Sequence, residues 1–109
     1  MKINFSKESC LSSSYLEDGL EMDKAYIKAF EKMINDRLKL EGYLFLNEFL
    51  FELGVKRTKR GQFDGWIYDE LDSEHMQGIK IKVKVENGDL ILTTNEEKDI
   101  VDYVFKEVQ

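Results

Sequence analysis

The stretch from Gly78 to Thr94 constrains the fold more than any other. Ile79, Ile81, Val83 and Val85 alternate with Lys80, Lys82, Lys84 and Glu86, the period-two pattern of a strand with one apolar face. Asn87-Gly88 follows, and this dipeptide suits a type I′ turn because both central residues need positive φ. A two-residue turn fixes the register: Glu86 faces Asp89, Val85 faces Leu90 and Val83 faces Leu92. The apolar faces of the two strands then coincide. Lys84 opposite Ile91 leaves a basic outer face. A small, mainly antiparallel sheet of three to five strands is therefore predicted, with this hairpin at its centre.

A sheet with one apolar face needs a cover, and two helices are predicted to supply it. Over Asp23–Leu40, Ile27, Phe30, Ile34 and Leu38 recur at spacings of three and four, with Tyr26 and Met33 widening the stripe. Asp23 is the expected N-cap and Gly42 the expected terminator. A second helix is predicted after an Asn95 cap, with Glu96 and Glu97 in its first turn. Its stripe would be Ile100, Val101, Val104, Phe105 and Val108. At the other end, Met1–Phe5 reads as an edge strand and the Ser-rich segment Ser6–Ser14 as a loop or a mobile arm; the alternative reading makes residues 1–20 one mobile N-terminal arm.

Between the helix and the hairpin lies GYLFLNEFLFELGVKRTKRGQFDGWIY, residues 42–68. It reads as a short strand, a short helix over Asn47–Leu53, a basic loop and a second strand. Asn47 is the expected cap, Glu48 complements the positive helix end and Gly54 ends the helix. Phe49, Leu50 and Leu53 are expected to face inward. Trp66 and Tyr68 share a strand face, which fits the inner side of a covered sheet and, as an alternative, a base-stacking platform.

The pattern GYLFLNEFLFELG, then Arg57-Thr58, then Gly61 and GWIYDE, resembles a family of small proteins encoded by phages and integrative elements of Gram-positive bacteria. The resemblance is confined to this stretch. It implies a genetic context and supplies no catalytic residues. Members of that family continue with a Pro- and Gly-rich loop, whereas this chain has Asp69 to His75 and contains no Pro.

Composition bounds the function. With 109 residues, 42% of them hydrophobic, the chain makes one α+β domain with a core of its own. Its single Cys allows no internal disulfide, and no apolar run is long enough to span a bilayer, so a cytoplasmic protein of the host bacterial cell is expected. Sixteen Lys and Arg against twenty-two Asp and Glu give a net charge of −6, which disfavours general nucleic-acid binding and suits either solubility or a basic partner.

No spacing of catalytic type is present. His75 and Cys10 are sixty-five positions apart, the serines lack a nucleophile elbow, and the acidic run Asp69, Glu70, Asp72 and Glu74 lacks calcium-loop spacing. No enzymatic role, no cofactor and no metal are expected. Two charged surfaces remain as candidates. Asp64, Asp69, Glu70, Asp72 and Glu74 would mimic phosphates toward a basic groove. Lys56, Arg57, Lys59 and Arg60, with Lys80, Lys82 and Lys84, would contact nucleic acid directly.

The reading that follows is a non-enzymatic accessory protein acting by macromolecular binding. Its partner would be a protein, most concretely a CRISPR effector nuclease or its nucleic-acid complex, inhibited in the manner of an anti-CRISPR protein. The alternatives are a nucleic-acid-binding accessory protein and a structural phage component.

Overall fold

The computed structural model describes residues 1–71 and 77–105. Its longest element is α2 (Gly19–Glu41), which begins four residues before the predicted start. The predicted stripe is the buried one, with Ile27, Phe30, Ile34 and Leu38 nearly free of solvent. Burying each such side chain stabilises the fold by about 1.5–3 kcal/mol relative to exposure. Gly42 ends the helix in the left-handed region at φ 84°, with its N–H donating to the Leu38 carbonyl at 2.7 Å.

Two antiparallel three-stranded sheets pack with α2, where a single sheet was predicted. One comprises β1 (Lys2–Asn4), β5 (Asp89–Thr94) and β4 (Ile81–Glu86), in the order β1-β5-β4. The other comprises β2 (Tyr43–Phe45), β3 (Asp64–Ile67) and β6 (Lys98–Asp99), in the order β2-β3-β6. The other helical elements among the described residues are three short α-helices, α1 (Phe5–Glu8), α3 (Leu46–Glu52) and α4 (Val101–Phe105), and a single 3-10 turn over Arg60–Gln62. The α+β class is as predicted.

The hairpin has the predicted register, Glu86 to Asp89, Val85 to Leu90 and Val83 to Leu92, with Asn87 and Gly88 both at positive φ. Its position differs. The returning strand β5 lies in the centre of its sheet, while β4 is an edge. Leu90 and Leu92 are sealed in the core, yet Val85 and Val83 beside them are 41% and 42% exposed.

Three predicted caps are not caps. Asp23 lies within α2 and is almost fully buried. Its carboxylate accepts from the Ser12 hydroxyl at 2.6 Å and the Ser13 N–H at 2.8 Å. The segment read as a mobile arm is therefore pinned at its serines, and its Ile3 and Phe5 are core residues. Asn47 sits one residue inside α3, and its side chain serves the loop beyond that helix. Asn95 starts no helix, since β6 intervenes before α4, which holds Val101, Val104 and Phe105 of the predicted stripe. Ile100 of that stripe precedes α4 and is buried, and Val108 lies outside the described residues.

Asn95 instead joins the two sheets. Its Oδ1 accepts from the Lys80 N–H and its Nδ2 donates to the Gly78 carbonyl, each at 2.9 Å. Its own carbonyl accepts from Trp66 Nε1 at 3.2 Å. Trp66 then continues an aromatic row through the core, with Phe49 at 5.2 Å and Phe30 at 5.3 Å from Phe49. This is the covered-sheet outcome for Trp66, and Tyr68 is partly buried against the same core.

A second polar clip holds β4 against α2. Asn35 Oδ1 accepts from the Ile79 N–H at 2.7 Å, and Asn35 Nδ2 donates to the Ile79 carbonyl at 2.8 Å. One turn earlier, Glu31 Oε2 accepts from the Ile81 N–H at 2.7 Å.

Asp23→Ala leaves two donors at the Ser12–Ser13 turn without their acceptor in a partly buried setting. It is expected to cost about 2–3 kcal/mol, read as a lower urea midpoint with an unchanged slope.

Candidate functional site

The surface with the most chemistry lies on α3 and the loop that follows it. α3 begins with Leu46, and Glu48 Oε2 accepts from the Phe45 N–H at 3.3 Å, which closes the first turn. The inward residues are those predicted, Phe49, Leu50 and Leu53. Helical periodicity then forces Phe51 outward, where it is 64% exposed.

The basic loop lies against this helix as a fixed structure. Asn47 holds Thr58 by both backbone groups, donating from Nδ2 to its carbonyl and accepting its N–H at Oδ1, each at 2.9 Å. The Thr58 hydroxyl accepts from the Gly61 N–H at 3.0 Å. Gly61 has no room for a side chain, because a Cβ there would meet Asn47 Oδ1 at 2.0 Å. The clamp sets Arg57 over the Phe51 ring at 5.7 Å, a cation–π arrangement. Beyond it, Arg60 lies over Phe63 at 5.8 Å.

Carboxylates surround these cations. Arg37 of α2 reaches Glu48 at 3.2 Å, Glu52 at 3.6 Å and Glu41 at 3.9 Å. A shallow cleft of about 340 Å³ is lined by Arg37, Asn47, Glu48, Phe51, Glu52 and Arg57. Arg60 pairs with Asp64 at 2.9 Å and reaches Asp99 at 3.8 Å. Arg37 and Arg60 thus have carboxylate partners, whereas Lys56, Arg57 and Lys59 have none among the described residues.

The four predicted basic residues do share one loop, though Arg60 is engaged by carboxylates and Arg57 by an aromatic ring. Lys80, Lys82 and Lys84 lie on and beside β4 in the other sheet. The predicted acidic set is not gathered into one surface by the described residues. Asp64 opens β3 and is paired, while Asp69 lies beyond its far end, about 16 Å along an extended chain. Asp69 Oδ1 accepts from the Leu71 N–H at 2.9 Å, which closes a local turn, and Glu70 is exposed. Asp72 and Glu74 lie outside the described residues, as does His75.

Sequence reasoning missed Phe51 and Arg37. The inward assignment of Phe49, Leu50 and Leu53 already implied an outward Phe51. Among the described residues, no three His, Cys, Asp or Glu side chains converge to hold a metal ion. Nor is any described helix long and apolar enough to cross a membrane.

A family model described as a family of unknown function, DUF6353, matches residues 4–108. The chain belongs to that family. No curated protein and no solved structure matches it. The DUF6353 match spans the helix, both sheets and the α3 surface together.

Two outcomes test this geometry. Asn47→Ala removes both hydrogen bonds to Thr58, so the Thr58 amide is expected to exchange faster and stability to fall by about 1 kcal/mol. Tyr26 donates to the Glu52 carbonyl at 3.3 Å. Burial raises its pKa above the ordinary 10.0, with Glu52 and then Cys10 adding to the shift. Stability from the neutral phenol is therefore full below that ordinary value and is lost as pH rises through the raised one. Ultraviolet titration of tyrosinate is expected to lose a late-titrating component in Tyr26→Phe.

Proposed function

We propose that this protein is a non-catalytic accessory protein that binds another protein through the α3 surface, with Phe51 and Arg57 at its centre. The observation that carries this reading is an exposed Phe51 capped by Arg57 on a loop clamped through Asn47, Thr58 and Gly61. Aromatic residues and Arg are the types that concentrate binding energy in protein interfaces, and a surface fixed beforehand loses little entropy on docking. The carboxylates of Glu48 and Glu52 line the cleft beside the ring, which favours a protein over a nucleic acid. A phosphate backbone is met by uncompensated cations, and here Arg37 and Arg60 already have carboxylate partners.

The most concrete form is an inhibitor of a host defence nuclease, in the manner of an anti-CRISPR protein acting in the bacterial cytoplasm. Its support is the resemblance to phage and mobile-element proteins, the small size and the charge of −6. The acidic residues Asp69 and Glu70 then belong to a second, peripheral contact with a basic groove.

The test is affinity capture from the host with tagged protein, followed by binding measurements on the captured partner. Phe51→Ala and Arg57→Ala are each expected to weaken binding by about 2 kcal/mol, roughly thirtyfold in Kd, with the fold intact by circular dichroism. Neutralising Asp69 and Glu70 should have a smaller effect. If that neutralisation abolishes binding while Phe51→Ala does not, the interface is the acidic one. Strongly salt-dependent binding to DNA or RNA alone would move the assignment to nucleic acid.

A further inference from the structure

The β1-β5-β4 sheet carries a feature unrelated to the α3 surface, at the outer edge of β4. A type I′ turn makes Glu86 and Asp89 a hydrogen-bonded pair, so Lys84 with Ile91 and Lys82 with Thr93 are hydrogen-bonded pairs also. Ile81, Val83 and Val85 must then direct their N–H and C=O groups away from β5. Two contacts agree with that parity. The Asn95 N–H donates to the Lys80 carbonyl on the β5 side at 3.3 Å, and the Ile81 N–H donates outward to Glu31.

Glu31 closes the edge at Ile81 and the turn closes it after Glu86. Between these stops, Val83 and Val85 present backbone donors and acceptors to solvent. These are also the two residues whose side chains are about two-fifths exposed while their partners Leu92 and Leu90 are sealed. Backbone and side chains are thus left open at the same place. No Pro or bulge interrupts the pairing register there.

We infer that the β4 edge accepts an extended peptide segment of another protein, in which acidic side chains alternate with apolar ones. The added strand pairs its backbone with Val83 and Val85. Its apolar side chains continue the layer begun by Leu90 and Leu92, over the two valines. Its acidic side chains meet Lys82 and Lys84 on the opposite face, where both lysines are exposed. Lys82 has no ion pair among the described residues, and Lys84 has only Glu86 of its own strand, at 3.4 Å.

A second copy of this chain does not suit the edge. Pairing Val83 with its symmetry mate sets Lys82 against Lys84, and pairing Val83 with Val85 sets Lys84 against itself, both like-charge contacts. The register that matches Lys84 with Glu86 runs the partner strand into the Asn87–Gly88 turn.

Amide exchange on the full chain tests this with two capped hexapeptides, one alternating Glu and Val and one alternating Lys and Val, each at about 1 mM. The acidic peptide is expected to slow exchange of the Val83 and Val85 amides by about tenfold, and the basic peptide to leave them unchanged. Val83→Pro deletes an outward N–H and spares the β4–β5 ladder, so the protection of Val85 should vanish. If that variant fails to fold, the double variant Lys82→Glu, Lys84→Glu keeps the edge and should reverse the preference toward the basic peptide. Protection by neither peptide, protection indifferent to the charge reversal, or a concentration-dependent dimer joined at β4 in sedimentation would each overturn the inference.

Discussion

Asn35 and Glu31 fix where the hairpin lies. A helix and a strand have no backbone groups to share, so their packing is normally set by apolar shape alone. Here α2 offers polar side chains that occupy backbone positions, Asn35 accepting and donating at Ile79 and Glu31 accepting at Ile81. Buried amides without partners cost about 1–3 kcal/mol each, so sliding the hairpin along the helix is strongly penalised. The same clip brings Ile79, Leu90 and Leu92 onto the stripe of Ile27, Phe30 and Ile34. It also closes one end of the β4 edge.

Much of this arrangement was legible in the sequence, and the limits of legibility have a common cause. The hairpin register was readable because strand side chains alternate strictly and the Asn-Gly turn admits few conformations. The α2 stripe was readable for the same periodic reason. Asp23, Asn47 and Asn95 were misread because a short polar side chain near a helix start is locally a cap. In the folded chain each finds a partner distant in sequence: the Ser12–Ser13 turn, the Thr58 backbone, and the backbone of Gly78 and Lys80 just before β4. Alternation likewise told which face Val83 and Val85 share with Leu92 and Leu90. It carried no information on how far the covering helices extend, and that decides their exposure.

The α3 surface was half legible. The basic run is visible as letters, but the carboxylates beside it are placed there by tertiary structure. Arg37 lies eleven positions before Glu48 and fifteen before Glu52, on a different helix, and Asp99 reaches Arg60 from β6. A run of four cations therefore reads as a strongly positive patch on paper and becomes a patch of mixed charge with two aromatic rings in space. Net charge of the chain gave no warning of this, because it sums over faces that never meet.

Asn95 carries a consequence for how the molecule comes apart. One residue satisfies groups at Gly78 and Lys80, on the segment leading into β4 of the first sheet, and at Trp66 in the second. Neither sheet can open at this junction without stripping polar partners from the other. The two halves are coupled as one melting unit, and partial unfolding that frees a single sheet is suppressed. A chain of this size with two small sheets would otherwise divide at the seam between them.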